Sequence, residues 1–211
     1  MVSDKERAVA ITLRPGDALL AVDVQNDFLP GGRLAVGGGD AVIPALNRYL
    51  ELATRLRLPV YASRDWHPRA HCSFAAQGGP WPQHCVAGSP GARFAPVLEL
   101  PPAATVIDKG VDSQREAYSA FEGTELAALL RRAGVRRLLV GGLATDYCVL
   151  NTVRDALANG FEVLLLRDAI KAVNVNPEDG ARAEREMQRL GAQPVTAADF
   201  DHEPADQPAA H

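Results

Sequence analysis

The sequence predicts a single α/β domain: a three-layer α/β/α sandwich built on a mostly parallel, doubly wound sheet of six strands. Three observations favour this fold class. Short apolar runs recur along the chain and have the length of buried strands. Segments with apolar residues at helical spacing lie between most of these runs. No linker or internal repeat divides the 211 residues, and strands that alternate with helices form parallel sheets with right-handed crossovers.

The predicted strands are the short apolar runs, and the predicted helices are the segments with one apolar face. In the first half of the chain they are a strand at Ala18–Val22, a helix from about Asp40 to Arg57, and strands at Pro59–Ser63 and Ala104–Ile107. In the second half they are a helix at Thr124–Ala133, strands at Arg137–Val140 and Phe161–Leu166, a helix at Pro177–Leu190 and a short strand at Pro194–Thr196.

Two segments fall outside this alternation. From about residue 65 to residue 102 the chain is rich in Pro, Gly and His and shows no clean periodicity. Irregular segments of this length are uncommon in compact domains and are usually functional when they occur. The last segment, 201–211, is expected to be a flexible tail.

Composition and charge exclude several classes of protein. A hydrophobic content of 47% with 23% charged residues is typical of a globular domain. The net charge of -4 argues against a nucleic-acid surface and gives no reason to expect an anionic membrane as partner. Three cysteines do not suggest a disulfide framework, and the N-terminus lacks the apolar core of a signal peptide. A cytoplasmic protein is expected, with its oligomeric state left open, homo-oligomer included.

Four reactive side chains lie at or just after the ends of predicted strands. They are Asp23, Asp65, Lys109 and Cys148. In an open parallel sheet the carboxyl ends of the strands share one edge, and ligand sites form there. The sequence therefore predicts a functional site at this edge.

Cys148 is the candidate nucleophile. Gly141-Gly142 predicts a tight turn after the fourth strand, and Thr145 or Asp146 is expected to cap a helix with Cys148 in its first turn. A cysteine at a helix N-terminus tends toward the thiolate. The alternative is a buried cysteine that packs as a small hydrophobe.

Asp23 and Lys109 are the candidate partners of the cysteine. A buried carboxylate can take the thiol proton, and a neighbouring ammonium keeps the carboxylate charged and supports the thiolate. Taken alone, Asp23 could be a turn residue and Lys109 a solvated lysine. Their shared position with Cys148 at strand ends favours the catalytic interpretation.

The irregular segment contains a candidate metal site. Asp65 and His67 are two residues apart in an extended stretch, so their side chains can leave the same face. His84 can return to complete a set of one carboxylate and two imidazoles, which leaves coordination positions for water or substrate. Two alternatives stay open, a metal-free loop and a closed structural zinc site formed by His71, Cys72, His84 and Cys85.

The chain resembles the nicotinamidase/pyrazinamidase branch of the isochorismatase-like cysteine hydrolases from about Ala18 to Phe200. The cysteine motif alone indicates the superfamily, and the two His-containing motifs narrow it to this branch. The motifs that carry the resemblance are Asp23-Val24-Gln25-Asn26-Asp27-Phe28, Asp65-Trp66-His67-Pro68, Trp81-Pro82-Gln83-His84-Cys85-Val86, Lys109-Gly110, Tyr118-Ser119-Ala120-Phe121-Glu122-Gly123 and Gly142-Leu143-Ala144-Thr145-Asp146-Tyr147-Cys148-Val149.

The resemblance implies a catalytic triad and a cofactor. The triad is Asp23, Lys109 and Cys148, and the implied reaction converts nicotinamide to nicotinate and ammonia through a thioester, in NAD salvage. Pyrazinamide is a second expected substrate. The resemblance also implies one divalent metal ion (zinc first, with iron or manganese as alternatives) on Asp65, His67 and His84.

The resemblance further implies an oxyanion hole and a set of ring contacts. A cis peptide between Leu143 and Ala144 is expected to place the N–H of Ala144 beside that of Cys148. The implied ring-contacting residues are Phe28, Trp81 and Tyr118. His71 matches a position that binds metal in some relatives only, so it stays outside the expected ligand set.

Other functions remain as alternatives at this point. The first is a related amidase that acts on another small amide or carbamoyl compound. An isochorismatase acting on a vinyl ether would not need the cysteine or the metal segment. A nucleotide-binding module would need a Gly-x-Gly-x-x-Gly turn after the first strand, which the sequence lacks. A non-catalytic partner-binding relative would have little reason to keep Asp23, Lys109 and Cys148 together.

Overall fold

A computed structural model describes residues 10–200 and contains a parallel six-stranded sheet between two layers of helices. The strands are β1 (Asp17–Val22), β2 (Val60–Asp65), β3 (Thr105–Lys109), β4 (Arg137–Leu143), β5 (Glu162–Lys171) and β6 (Gln193–Val195). The helices are α1 (Val42–Arg55), α2 (Leu126–Arg132), α3 (Leu150–Ala158) and α4 (Asp179–Leu190). The predicted three-layer fold class is confirmed. The tail expected at 201–211 lies outside the described residues.

The order of the strands locates the functional edge. Across the sheet they lie in the order β3-β2-β1-β4-β5-β6, and every pair is parallel. The chain winds outward in one direction from β1 and in the other direction from β4. The strand order therefore reverses between β1 and β4, and ligand sites of doubly wound folds form at this switch point.

The two faces of the sheet form two apolar cores. Alternate residues of a strand point to opposite faces. Leu19 and Leu139 are buried in one cluster with α1, and Leu20 and Leu138 are buried in a second cluster with α2, α3 and α4. These four leucines are no more than 2% exposed, so the central strands are buried on both faces, as parallel strands usually are.

The glycine pair after the predicted fourth strand is part of β4, and the prediction of a turn there is wrong. Gly142 pairs with Val22 of β1 and has φ +127°. A Cβ atom at Gly142 would lie 2.0 Å from the carbonyl oxygen of Val22. The glycine is therefore needed for the close approach of β1 and β4, because any side chain would push the two strands apart.

The segment between β2 and β3 is irregular, as predicted, apart from a 3-10 turn at Ala75–Gln77. It is tied to the loop that follows β1. The buried Gln25 amide donates to the carbonyl oxygens of Asp65 (2.8 Å) and Ala92 (3.0 Å), and the Asp27 carboxylate accepts the N–H of Cys85 (2.7 Å). Within residues 10–200, no helix is both long and apolar enough to span a membrane.

Candidate active site

The structure brings the four predicted strand-end residues to one edge of the sheet. Asp65 and Lys109 are the last residues of β2 and β3 and are direct register partners. Asp23 follows β1, and Cys148 lies in a π-helical turn, Thr145–Val149, that follows β4. Asp23 and Cys148 therefore face each other across the switch point between β1 and β4. All four side chains are buried.

Lys109 is the centre of the cluster. Its Nζ lies 3.0 Å from Oδ2 of Asp23, 3.5 Å from Sγ of Cys148 and 2.5 Å from Oδ1 of Asp65. It also donates to the carbonyl oxygen of Ala117 at 3.1 Å. The ammonium thus contacts both carboxylates and the sulfur at once, which compensates for its complete burial.

The two carboxylate oxygens of Asp23 differ: one accepts a hydrogen bond and the other does not. The hydroxyl of Ser63 donates to Oδ1 at 2.6 Å. Oδ2 is buried and accepts no hydrogen bond from the described residues, although it forms the ion pair with Lys109. A carboxylate oxygen of Asp23 lies within 4.8 Å of the Cys148 sulfur. An unsatisfied buried oxygen at this position is suited to accept a proton from the thiol.

Charges in the cluster determine where the protons reside. Burial raises the pKa of Asp23 above its usual range, while Lys109 and the Ser63 hydrogen bond act against that rise. Burial disfavours the charged form of Lys109, yet Asp23 and Asp65 raise the pKa of its ammonium well above the ordinary value.

Burial also raises the pKa of the Cys148 thiol well above its ordinary value, with Lys109 opposing the rise. This loss of hydration favours the neutral thiol. The cysteine needs a base, and the Asp23 carboxylate is adjacent.

The turn that carries Cys148 differs from the predicted capped helix. The Ala144 carbonyl accepts the N–H groups of Tyr147 and Val149, both at 3.1 Å, and the residue before the turn supplies no side-chain cap. Asp146 binds elsewhere: its carboxylate accepts the N–H groups of Val173 and Asn174. The Leu143–Ala144 peptide is cis, as expected. The use of the Ala144 and Cys148 N–H groups as oxyanion donors stays a prediction.

Asp65, His67 and His84 form a second cluster beside the first. Oδ2 of Asp65 lies 3.4 Å from Nε2 of His67 and 3.8 Å from Nε2 of His84. Nδ1 of His67 donates to the Gly110 carbonyl at 2.9 Å, and Nδ1 of His84 donates to the Pro82 carbonyl at 2.8 Å. These backbone contacts fix the tautomer that presents the Nε2 lone pair of each ring to the shared centre.

This donor set fits a divalent metal ion. The three ligand atoms lie within 4.8 Å of one another, and one carboxylate with two imidazoles is a common set for a metal with open positions. Asp65 connects the two clusters, since its Oδ1 contacts Lys109 while its Oδ2 faces the histidines. Lys109 lowers the pKa of Asp65, which keeps this ligand ionised despite its burial.

The closed zinc site is not formed among the described residues. There, the groups of potential metal ligands that converge are Asp65-His67-His84 and Asp23-Asp65-Cys148, neither of which contains Cys72, Cys85 or His71. Both nitrogens of the buried His71 ring are engaged: Nδ1 lies 2.7 Å from Oγ of Ser73, and Nε2 donates to the Arg115 carbonyl at 3.0 Å. The ring stacks on His67 with centroids 4.1 Å apart.

A cavity that is partly open to solvent is lined by Cys148 of the first cluster and by Asp65, His67 and His84. The predicted ring-contacting residues Phe28, Trp81 and Tyr118 line it. The indole N–H of Trp81 donates to the Tyr118 hydroxyl at 2.9 Å, which fixes these two rings together. Tyr147, not predicted from the sequence as a site residue, also lines the cavity and packs edge-on against Trp81 with centroids 5.2 Å apart.

Two polar residues that support the site were also missed by sequence reasoning. Ser63 fixes Asp23, and the Gln25 side chain binds both the backbone N–H and the carbonyl oxygen of Asp65. Gln25 belongs to a motif that carries the resemblance, but no chemistry pointed to its role. Ser63 could have been identified from the sequence, because it is a polar residue within an otherwise apolar strand.

Comparisons with known proteins identify the family of the chain. A family model described as the isochorismatase domain matches residues 17–199. The chain is 41% identical to a nicotinamidase of Escherichia coli strain K12 over 208 residues, which is 89% of this chain and 98% of that protein.

Two solved structures are similar along most of their length. One is a pyrazinamidase of Pyrococcus horikoshii in complex with zinc, with a TM-score of 0.83, 49% identity and coverage of 86% of this chain and 99% of that one. The other is PnC1 from L. infantum in complex with nicotinate, with a TM-score of 0.83, 38% identity and coverage of 91% and 98%. The extent of these matches shows that the chain belongs to the isochorismatase domain family.

Proposed function

We propose that this protein is a metal-assisted cysteine amidohydrolase that converts nicotinamide to nicotinate and ammonia in NAD salvage. The observation that carries the proposal is a cavity that Cys148 lines together with Asp65, His67 and His84, while the buried Lys109 ammonium and the Asp23 carboxylate lie directly behind the cysteine. The curated E. coli relative is a nicotinamidase, and the L. infantum structure contains nicotinate. Pyrazinamide, a closely related heteroaromatic carboxamide, is a second proposed substrate, by analogy with the P. horikoshii pyrazinamidase.

In the first half of the reaction, Asp23 acts as the base. Its Oδ2 takes the thiol proton, and Cys148 Sγ attacks the carboxamide carbon. The negative charge that develops on the amide oxygen is held by the N–H groups of Ala144 and Cys148. Lys109 stays protonated and stabilises the thiolate and the carboxylate through its contacts with both.

The second half releases the product. Asp23 gives its proton to the amide nitrogen, the C–N bond breaks, and ammonia leaves a thioester on Cys148. Asp23, again ionised, takes a proton from a water molecule that attacks the thioester carbon. The C–S bond then breaks, and the sulfur regains a proton as nicotinate leaves.

Asp65, His67 and His84 are the proposed ligands of the metal ion, with zinc the first choice because the similar P. horikoshii structure contains it. When bound, a divalent ion supplies a Lewis acid able to coordinate the ring nitrogen of the substrate. Phe28, Trp81 and Tyr118 provide apolar walls for the ring and exclude water from it. The aromatic walls and the metal-binding residues together orient the carboxamide toward Cys148.

We also propose that the chain works as one domain, with the segment of about 65–102 as its metal-binding loop, in the cytoplasm. The single sheet supports the first assignment, and a small-molecule substrate is compatible with the second.

The test is ammonia release from purified protein with a panel of small amides, including nicotinamide, pyrazinamide and a carbamoyl compound. We expect the wild-type protein to act on the first two, and Cys148→Ala to release no ammonia while it still binds nicotinamide in calorimetry. Turnover by Cys148→Ala would contradict the covalent mechanism. A wild-type preference for the carbamoyl compound would replace the proposed substrate with that class.

A further inference from the structure

The carboxylate of Asp146 bridges two parts of the site that are distant in sequence. Asp146 lies two residues before Cys148 in the π-helical turn. Its Oδ1 accepts the N–H of Val173 and its Oδ2 accepts the N–H of Asn174, both at 2.9 Å. Hydrogen bonds to an ionised acceptor are short and strong, and here one carboxylate accepts two successive N–H groups.

The segment that Asp146 holds forms one wall of the cavity. Residues 172–178 connect β5 to α4 and have no regular secondary structure. Val173 lines the cavity with Cys148 and Tyr147, whereas Val175, two residues later, is 64% exposed. The position of Val173 therefore depends on contacts made by a connection that is otherwise largely at the surface.

The same connection has a second anchor that does not face the cavity. The Asp179 carboxylate accepts the N–H of Asn176 at 2.7 Å, and the Asn174 side chain accepts the N–H of Gly180 at 2.8 Å. Neither Asp179 nor Asn176 lines the cavity. The two aspartates thus make the same kind of contact to the same connection, but only the one from Asp146 reaches the cavity wall.

We propose that Asp146 is a positioning residue that holds Val173 as a wall of the substrate pocket. The inference rests on the proposed function, because it assigns Asp146 a part in binding the ring of the carboxamide. Both carboxylate oxygens are directed to the connection, so the substitution should alter substrate binding and leave the chemical step nearly intact. Asp146→Asn keeps one acceptor oxygen but places an amide N–H₂ against the second backbone N–H.

The experiment measures KM and kcat separately for Asp146→Asn, Val173→Ala and the double variant. We expect Asp146→Asn to raise KM for nicotinamide about tenfold, the effect of losing one hydrogen bond to a charged group. Val173→Ala should raise KM by a similar factor because the cavity wall loses two methyl groups. In both variants kcat should stay within about twofold. If Asp146 acts through Val173, the double variant should raise KM no further than either single variant. Asp179→Asn is the matched control and should keep KM within about twofold.

Hydrogen exchange gives a second readout that does not depend on activity. At least one of the amides of Val173 and Asn174 should exchange at least about tenfold faster in Asp146→Asn than in the wild-type protein, because asparagine keeps only one of the two acceptor oxygens. Unchanged exchange would overturn the proposal, and so would faster exchange with an unchanged KM. A fall in kcat at constant KM would also overturn it and assign Asp146 to the turn of the nucleophile. KM increases that multiply in the double variant would show that the two residues act independently.

A different measurement would show that the proposed function is wrong. A wild-type protein that releases no ammonia from nicotinamide would overturn the assigned reaction. The exchange rates of Val173 and Asn174 would still decide whether Asp146 holds the connection.

Discussion

Gly110 supports the metal-binding set from the position directly after Lys109. Its φ is +62°, and its carbonyl oxygen accepts the Nδ1 proton of His67. A Cβ atom at this position would lie 2.5 Å from Cε1 and 2.6 Å from Nδ1 of His67, so any side chain would displace the ring. The residue must be glycine for two reasons, the backbone angle and the imidazole.

We predict that Gly110→Ala lowers metal affinity by at least about tenfold, as loss of an outer-shell contact usually does. Metal content after dialysis against a competing chelator measures this. Gly123→Ala is the matched control, because Gly123 has a similar φ of +68° and a Cβ atom there would meet no other atom within 4 Å. Both variants carry the strain of positive φ, so equal metal loss in the two would show that strain alone is responsible.

The pairing of β1 with β4 determines where Asp23 and Cys148 meet. Asp17 and Arg137 are partners in register at the start of these strands, and Asp23 and Cys148 follow their opposite ends. Nε of Arg137 donates to Oδ1 of Asp17 at 2.8 Å, and Nη2 donates to Oδ2 at 2.7 Å. This two-point contact between buried or nearly buried groups favours the one register that aligns the site.

We predict that Arg137→Lys lowers the free energy of unfolding by about 1–2 kcal/mol, because an ammonium cannot reproduce the planar fork. Urea denaturation measures the change. Arg154→Lys is the control, since Arg154 binds Glu186 through Nε and Nη2 on an exposed surface, and we expect a change of no more than about 0.5 kcal/mol. A similar loss in both variants would mean that burial does not strengthen the pair.

The strands and their terminal residues could be predicted because a buried parallel strand has a strong apolar signal. That signal is enough to place Asp65, Lys109 and Cys148 at one edge of the sheet. It failed for β5, which continues to Lys171, because the last part of this strand is half exposed and alternates in polarity. Sequence reasoning also missed the role of Asp146, whose carboxylate accepts the N–H groups of Val173 and Asn174. Contacts between residues so far apart in sequence leave no local pattern.

At the scale of the whole molecule, the metal-binding set connects the sheet with the irregular segment between β2 and β3. Asp65 belongs to the sheet, while His84 belongs to the irregular segment between β2 and β3. Gln25 and Asp27 attach other parts of this segment to the loop after β1 without any metal. Loss of the metal should therefore loosen the segment around His84 and leave the sheet folded.

A ligand that binds the native state at about 100 times its dissociation constant stabilises it by about 2.7 kcal/mol. For a domain of this size that corresponds to a Tm decrease of roughly 5–10 °C when a chelator removes the metal. Scanning calorimetry with and without chelator measures the shift, and His84→Ala should show almost none because it lacks a ligand. An equal shift in both proteins would place the stabilising ion outside the Asp65-His67-His84 set. A Tm shift confined to the wild-type protein would mean that the ion bound beside the substrate pocket also stabilises the segment that carries His84.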